Sequence, residues 1–179
     1  CFITEIFIMD NMLTFAITVF TGFFAIMNPI ANTPIFLGLA EGADKQGRKK
    51  IAKTACLTAF LIVVSFIIAG KYIFEIFEIT IPAFKITGGI LIFYVGFEML
   101  MSQKSQIHNT QHSADTKSLA VSPLAIPILA GPGTIVTAMN YVTQATYTHI
   151  AIVVGVFALM IFLTYLAFSL SSSIVKALG

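Results

Sequence analysis

The chain has 179 residues, of which 58% are hydrophobic and only 10% are charged, with a formal net charge of +2. A soluble domain carries about 25% charged residues, so this chain has too few charges to cover the surface of a water-soluble protein. The same composition excludes intrinsic disorder, which requires low hydrophobicity and high net charge. The remaining solvent is a lipid bilayer, and we expect an integral membrane protein.

The charge and the cysteines exclude further classes. A net charge of +2 without a basic, aromatic segment gives no indication of nucleic-acid binding. The two cysteines, Cys1 and Cys56, are too few for a disulfide framework. Residues 1–10 contain no Lys or Arg. They therefore lack the basic region of a signal peptide, and we expect the first apolar stretch to be retained.

Five stretches are long and apolar enough to span a bilayer, which requires about 20 residues per helix. Strands of a membrane barrel would instead be ~10 residues long and alternate in polarity. The composition therefore predicts an all-α polytopic membrane protein. The predicted spans are 11–40, 51–70, 82–101, 119–142 and 150–170.

The basic residues between the spans predict how the chain is oriented. Segment 41–53 holds Lys45, Arg48, Lys49, Lys50 and Lys53. Lys and Arg concentrate in the cytoplasmic loops of membrane proteins. We therefore predict an N-terminus outside the cell, with segments 41–53, 103–118 and 171–179 in the cytoplasm.

The first predicted span contains helix breakers and amides in the stretch AIMNPIANTPIFLGLAEG. Pro29 and Pro34 cannot donate a backbone hydrogen bond, so in a helix each leaves a carbonyl four residues earlier without a partner. Asn28 and Asn32 lie four residues apart, which places both amides on one side of a helix. Because an amide in lipid needs polar partners, this segment is unusual for a lipid-facing helix. The two carbonyls concerned are those of Ala25 and Ile30.

The fourth predicted span contains a second break in the stretch SPLAIPILAGPGTIVTAMN. Its three prolines are Pro123, Pro127 and Pro132. We predict that one segment ends near Gly131 and that a new helix starts at Pro132, since proline suits the first helical position. The N–H groups around Gly133 and Thr134 would then be free to face an anion or a polar solute.

The two breaks resemble each other and predict an internal repeat. Segments 29–37 and 123–131 share the order of Pro, Ala and Pro-Ile at an offset of about 94 residues. Three spans per half give an inverted repeat, with five of six expected spans present. The halves would be 1–102 and 119–179, the second truncated before its third helix, joined by the polar loop 103–118. Paired interrupted helices indicate a transport site; kinks that serve only helix packing are the alternative.

The length of the first span also bears on its path through the membrane. A single helix over 11–40 would measure roughly 45 Å at 1.5 Å per residue, against a hydrocarbon core of about 30 Å. The excess favours either a break or a re-entrant turn, and the sequence does not choose between them.

Several other polar or small residues are weaker candidates. Glu98 is the one acid well within a span and could serve as an ion or proton site, or reach the headgroups. His108 and His112 have helical spacing for zinc but lack further ligands, so we expect no metal site. One further group consists of glycines in the third span, which permit close helix packing. The other is a polar edge in the fourth span. They comprise Gly88, Gly89 and Gly96, and Thr137, Asn140, Thr143 and Gln144.

Enzymatic function is not expected. The sequence shows no set of nucleophile, base and orienting group, and no phosphate loop or metalloprotease motif. We therefore predict neither an enzyme nor a cofactor.

Two segments resemble the signature segments of the MarC family of bacterial integral membrane proteins. They are NPIANTPIFL (28–37) and PLAIPILAGPGTI (123–135). The stretches GRKKIAKTA (47–55) and TGGILIFYVGFEML (87–100) also fit the family. The resemblance implies six helices in the bacterial cytoplasmic membrane, and the family's grouping with LysE-like exporters implies export of small solutes by analogy.

The leading hypothesis is a transporter or exporter of a small polar solute. Asn28 and Asn32 would contact the solute through their amides, and the carbonyls freed by the prolines would accept from a cation. The N–H groups at Gly131, Gly133 and Thr134 would bind an anionic group, so a zwitterion such as an amino acid would suit the site. The alternatives are a non-transporting scaffold or regulatory subunit, and a channel. The expected partners are the bilayer, the solute and a second copy in a homo-oligomer.

Overall fold

The computed structural model describes residues 2–101, 129–143 and 145–171. Within these ranges the chain forms helices and short connections, with no strand. The helices are α1 Phe2–Met27, α2 Pro29–Leu39, α3 Lys45–Ile76, α4 Ile81–Met101, α5 Pro132–Val142 and α6 Tyr147–Ser169. Three segments of this part of the chain are long and apolar enough to cross a membrane: Asn11–Leu39, Lys45–Gly70 and Tyr147–Ser169. The predicted all-α polytopic class is therefore confirmed.

Helix α3, which forms the second predicted span, begins earlier than predicted. The basic stretch expected to be a loop over 41–53 is helical from Lys45 onward, because Asp44 caps α3 by accepting from the N–H of Gly47 at 2.8 Å. Helix α3 also extends beyond the predicted end of the second span at residue 70, and only residues 77–80 connect it to α4.

The first segment follows α6 along its whole length. Three ring pairs join them at a nearly constant sequence offset, with centroids 4.5–5.0 Å apart: Phe15–His149, Phe23–Phe157 and Phe36–Phe168. A constant offset means that α1 and then α2 run in the same direction as α6. The break between α1 and α2 therefore bends the chain without turning it back, which decides against a re-entrant first segment.

The second segment runs the opposite way. Phe60 of α3 stacks on Phe157 in the middle of α6 at 6.0 Å. The start of α3, at Lys45, lines the same cavity as Phe168 at the end of α6. The first and fifth predicted spans thus run in one direction and the second in the other, as alternating spans require.

Helices α5 and α6 organise the packing. Helix α6 contacts α1, α2, α3 and α5, and α5 also contacts α1, α3 and α4. The core between them is apolar and includes Val19, Phe23, Val63, Phe157 and Met160, all fully buried. Large apolar side chains also cover the outside, where a bilayer is the solvent.

Parts of the predicted organisation lie outside the described residues. These are the 103–118 loop with His108 and His112, the prolines Pro123 and Pro127, and Gln144. The side chain of Glu98 is likewise not described. The inverted repeat and its boundaries stay predictions.

Candidate functional site

Asn28 forms the first break through its backbone and its side chain. It adopts a left-handed conformation with φ 31° and ψ 74°, between the end of α1 and the start of α2. Its Oδ1 accepts from the N–H of Ala31 at 3.2 Å, and Pro29 occupies the first position of α2. Asn28 is therefore the N-cap of a new helix, a position that favours Asn, with proline following in its preferred place.

Asn32 repairs the hydrogen bond that this cap removes. In an unbroken helix the Met27 carbonyl would accept from Ala31, but the Ala31 N–H is taken by Asn28. Instead, Nδ2 of Asn32 donates to the Met27 carbonyl at 2.6 Å. Asn32 is only 6% exposed, so this bond satisfies a buried acceptor.

Pro29 removes one helical hydrogen bond at the end of α1. Because it has no N–H, the carbonyl of Ala25 receives no helical hydrogen bond. The carbonyl of Ile30 is in the same position relative to Pro34 inside α2.

The second break lies where the sequence predicts it. Residues 129–131 are not α-helical, and α5 starts at Pro132 with Gly131 as its N-cap. The N–H groups of Gly133 and Thr134 occupy the first turn, where a helix supplies no acceptor. Thr134 is 1% exposed. The predicted helix start at Pro132 is confirmed.

The two breaks lie at about the same depth. The hydroxyl of Tyr141 on α5 donates to the Thr18 carbonyl on α1 at 3.2 Å. From this contact α1 continues forward along the chain for ten residues, or roughly 15 Å, to its break at Asn28. Followed backward along the chain, α5 covers the same number of residues to its break at Gly131. Residues next to both breaks, Met27, Leu129 and Ala130, belong to one buried cluster.

A cavity of about 440 Å³ lies between α1, α4 and α5, and we call it the midspan cavity. Its α1 wall includes Gly22 and Ala25, at the centre of the segment Asn11–Leu39. Thr137, Asn140 and Tyr141 of α5 give it a polar side, and Gly89 of α4 lies opposite. The lining, as far as the described residues form it, carries no charged side chain.

Only some of the residues predicted to contact a solute line the midspan cavity. Thr137 and Asn140 of the predicted polar edge line it, but Asn28, Asn32 and Thr134 are not among its described lining residues. Solute contact by these break residues stays a prediction. In the structure, Asn28 Oδ1 and Asn32 Nδ2 bond to the backbone.

Sequence reasoning missed Gly22 and the role of Tyr141. A Cβ at Gly22 would lie 2.3 Å from the Tyr141 hydroxyl, so only glycine allows the ring to reach the α1 backbone. One glycine in an apolar helix gives no sequence signal of such a contact, which depends on a partner about 120 residues away.

The glycine pair of α4 yields a stability prediction. A Cβ at Gly88 would lie 2.4 Å from Cγ1 of Val136, whereas a Cβ at Gly89 meets nothing within 4 Å. We expect Gly88→Ala to unfold more easily than Gly89→Ala by about 1–3 kcal/mol, the usual cost of overpacking. Both variants gain the same helix propensity, so denaturation in detergent isolates the clash. Equal stability would contradict the close α4–α5 packing.

These features define an α-helical membrane protein with interrupted helices around a cavity at mid-depth. The profile of the MarC family, described as "MarC family integral membrane protein", matches residues 13–179. The chain belongs to the MarC family.

Named relatives agree with this membership. The UPF0056 membrane protein YvbG of Bacillus subtilis (strain 168) is 39% identical over 174 residues, covering 94% of this chain and 82% of the relative. A UPF0056 membrane protein of Pyrococcus abyssi (strain GE5 / Orsay) is 35% identical, covering 85% and 78%. One of Pyrococcus horikoshii is 38% identical, covering 76% and 67%. No solved structure matches the chain.

Proposed function

We propose that this protein is a transporter or exporter of a small polar solute across the bacterial cytoplasmic membrane. The observation that carries the proposal is the midspan cavity beside two broken helices at matching depth. Transporters bind their substrates near the bilayer midplane, where helices are interrupted. The cavity volume of about 440 Å³ falls within the usual range of small-molecule sites.

The lining suits a neutral or zwitterionic solute. Asn140 supplies both an amide donor and an acceptor, Thr137 a hydroxyl, and Ala25 lies beside them with a carbonyl free of helical bonding. Neutral donors and acceptors of this kind hold polar groups through hydrogen bonds. An amino acid or another compact hydrogen-bonding solute fits them.

The proposed orientation has the α2–α3 connection in the cytoplasm. The support is the basic start of α3, with Lys45, Arg48, Lys49 and Lys50 within two turns. In a Cys1→Ser background, which removes the cysteine of the N-terminus, a cysteine in place of the exposed Glu41 would then resist a membrane-impermeant thiol reagent in intact cells and react in inside-out vesicles. Labelling of this cysteine in intact cells would show that the α2–α3 connection lies outside the cell and would contradict the proposed orientation.

A ligand screen tests the transport proposal. The purified full-length protein is scanned by thermal unfolding in detergent against amino acids, organic acids, sugars and inorganic ions. A solute at 100 times its Kd stabilises the folded state by about 2.7 kcal/mol. We expect one solute class to stabilise the wild type and Asn11→Leu, but to lose that effect in Asn140→Leu.

Asn11 is a matched control, because it is an exposed asparagine in the first turns of Asn11–Leu39, away from the cavity. Stabilisation that survives Asn140→Leu would contradict a binding site in the midspan cavity. Silence across the panel from a well-folded sample would favour the scaffold or regulatory alternative.

A further inference from the structure

A second cavity lies at one end of the helix pair α3 and α6, and we call it the basic cavity. It measures about 270 Å³ and is lined by Lys45, Arg48 and Lys49 from the first turns of α3. Ser169 and Ser171, at the end of α6, form the opposite side. Three cations thus face two hydroxyls where both membrane-spanning segments end.

Ser169 and Arg48 have hydrogen-bonding capacity to spare. Oγ of Ser169 is buried without a hydrogen-bond partner in the described part of the chain. Ser171 is 3% exposed and lies beside it. Arg48 donates through Nε to the Ala43 carbonyl at 3.0 Å, which fixes the guanidinium and leaves its outer N–H groups available.

The basic cavity keeps a net positive charge beside the neighbouring cap residue. Asp44, which accepts from the N–H of Gly47 at 2.8 Å, contributes one negative charge against the three cations of the lining. The free N–H groups of the first α3 turn also carry partial positive charge. The cavity therefore favours a group with several acceptor oxygens and a negative charge, of which phosphate is the commonest.

An apolar groove continues from the basic cavity along the same two helices. It measures about 450 Å³ and is lined by Leu57 and Phe60 of α3 and by Ile161 and Phe162 of α6. Leu57 and Phe162 are each more than half exposed. Lys53 is at the mouth of this groove, one turn or about 6 Å beyond Lys49.

The order of these features matches one class of molecule. A basic pocket at the membrane boundary followed by an apolar groove toward the hydrocarbon corresponds to a headgroup followed by an acyl chain. We propose that α3 and α6 form a binding site for an anionic phospholipid. Its phosphate occupies the basic cavity, Lys53 contacts the glycerol region, and one acyl chain lies in the apolar groove.

Lipid titration of the full-length protein tests this site. The protein in nonionic detergent is titrated with phosphatidylglycerol, phosphatidylcholine or inorganic phosphate, and thermal unfolding reports the apparent Kd. We expect phosphatidylglycerol to bind at least tenfold more tightly than phosphatidylcholine, because the zwitterionic headgroup brings a cation to the basic cavity. Equal affinity for the two lipids would overturn the proposal.

Neighbouring lysines provide the matched variants. Lys49 lines the basic cavity, whereas Lys50 is exposed on the same turn and lines neither cavity nor groove among the described residues. We expect Lys49→Gln to weaken phosphatidylglycerol binding about fivefold, the usual contribution of one lysine near an anionic lipid. Lys50→Gln should leave it unchanged. Equal losses would indicate diffuse surface charge and contradict a defined site.

The apolar groove is tested by removing the acyl chain from the ligand and by narrowing the groove. On the wild type, lysophosphatidic acid should bind more tightly than glycerol 3-phosphate, which has the same phosphomonoester without the acyl chain. Ala158→Phe, which narrows the groove, should weaken the lipid and not inorganic phosphate. If glycerol 3-phosphate or phosphate alone matches the lipid, the site binds free anions and the lipid assignment is wrong.

Discussion

Transport of the identified solute is expected to fall sharply when Gly89 is replaced by phenylalanine. Gly89 lines the midspan cavity, and a Cβ there meets nothing within 4 Å, so the ring would enter free space. Occupying a site that a ligand needs costs about 1–3 kcal/mol by analogy with overpacking, or roughly 5- to 150-fold in affinity. Uptake into proteoliposomes measures the loss.

Gly155→Phe is the matched control for this prediction. Gly155 is an exposed glycine of α6 at which a Cβ also meets nothing within 4 Å, and it does not line the midspan cavity. The same substitution there should leave transport within about twofold of the wild type, as surface substitutions usually change stability by less than ~0.5 kcal/mol. Equal losses in both variants would place the solute path away from the cavity.

The second large effect concerns the stability of the first break. Asn32→Leu removes the donor to the Met27 carbonyl and leaves that acceptor buried without a partner. An unsatisfied buried acceptor costs about 1–3 kcal/mol, and more where no water can reach it. We expect the free energy of unfolding in detergent to fall by this amount.

Asn28→Gly supplies the comparison at the same break. Glycine adopts the φ of 31° found at Asn28 without strain, and replacing an N-cap by glycine costs only a few tenths of a kcal/mol. The two substitutions therefore separate a structural lock at Asn32 from a replaceable cap at Asn28. A larger loss of stability for Asn28→Gly than for Asn32→Leu would contradict this division.

A structural role and a solute-binding role of the asparagines at the first break can be distinguished by experiment. If Asn28 contacts solute, as the sequence predicts, Asn28→Gly should impair transport while stability is preserved. Substitution of Asn32 cannot separate the two roles, because its Nδ2 donates to the Met27 carbonyl at 2.6 Å and loss of this bond changes the stability of the fold.

The sequence by itself determined the solvent and the positions of the breaks. Few charges and long apolar runs require a bilayer whatever the tertiary structure. Pro29 and Pro132 act on their own backbone, because the proline ring removes a donor and fixes φ locally. The helix start at Pro132 was therefore predicted without knowledge of any contact, whereas at Pro29 the sequence predicted a disturbed helix and left a break or a re-entrant turn open.

Only the tertiary structure decided which helices surround the cavities. Thr137 and Asn140 are polar in any arrangement, but the approach of α5 to α1 and α4 makes them the side of a cavity. That approach requires glycine at two positions, because Gly22 leaves room for the side chain of Tyr141 and Gly88 leaves room for that of Val136. Likewise, the lysines of α3 meet Ser169 only because α6 returns antiparallel to α3. Such contacts join distant parts of the chain through side-chain shape, which local sequence patterns do not encode.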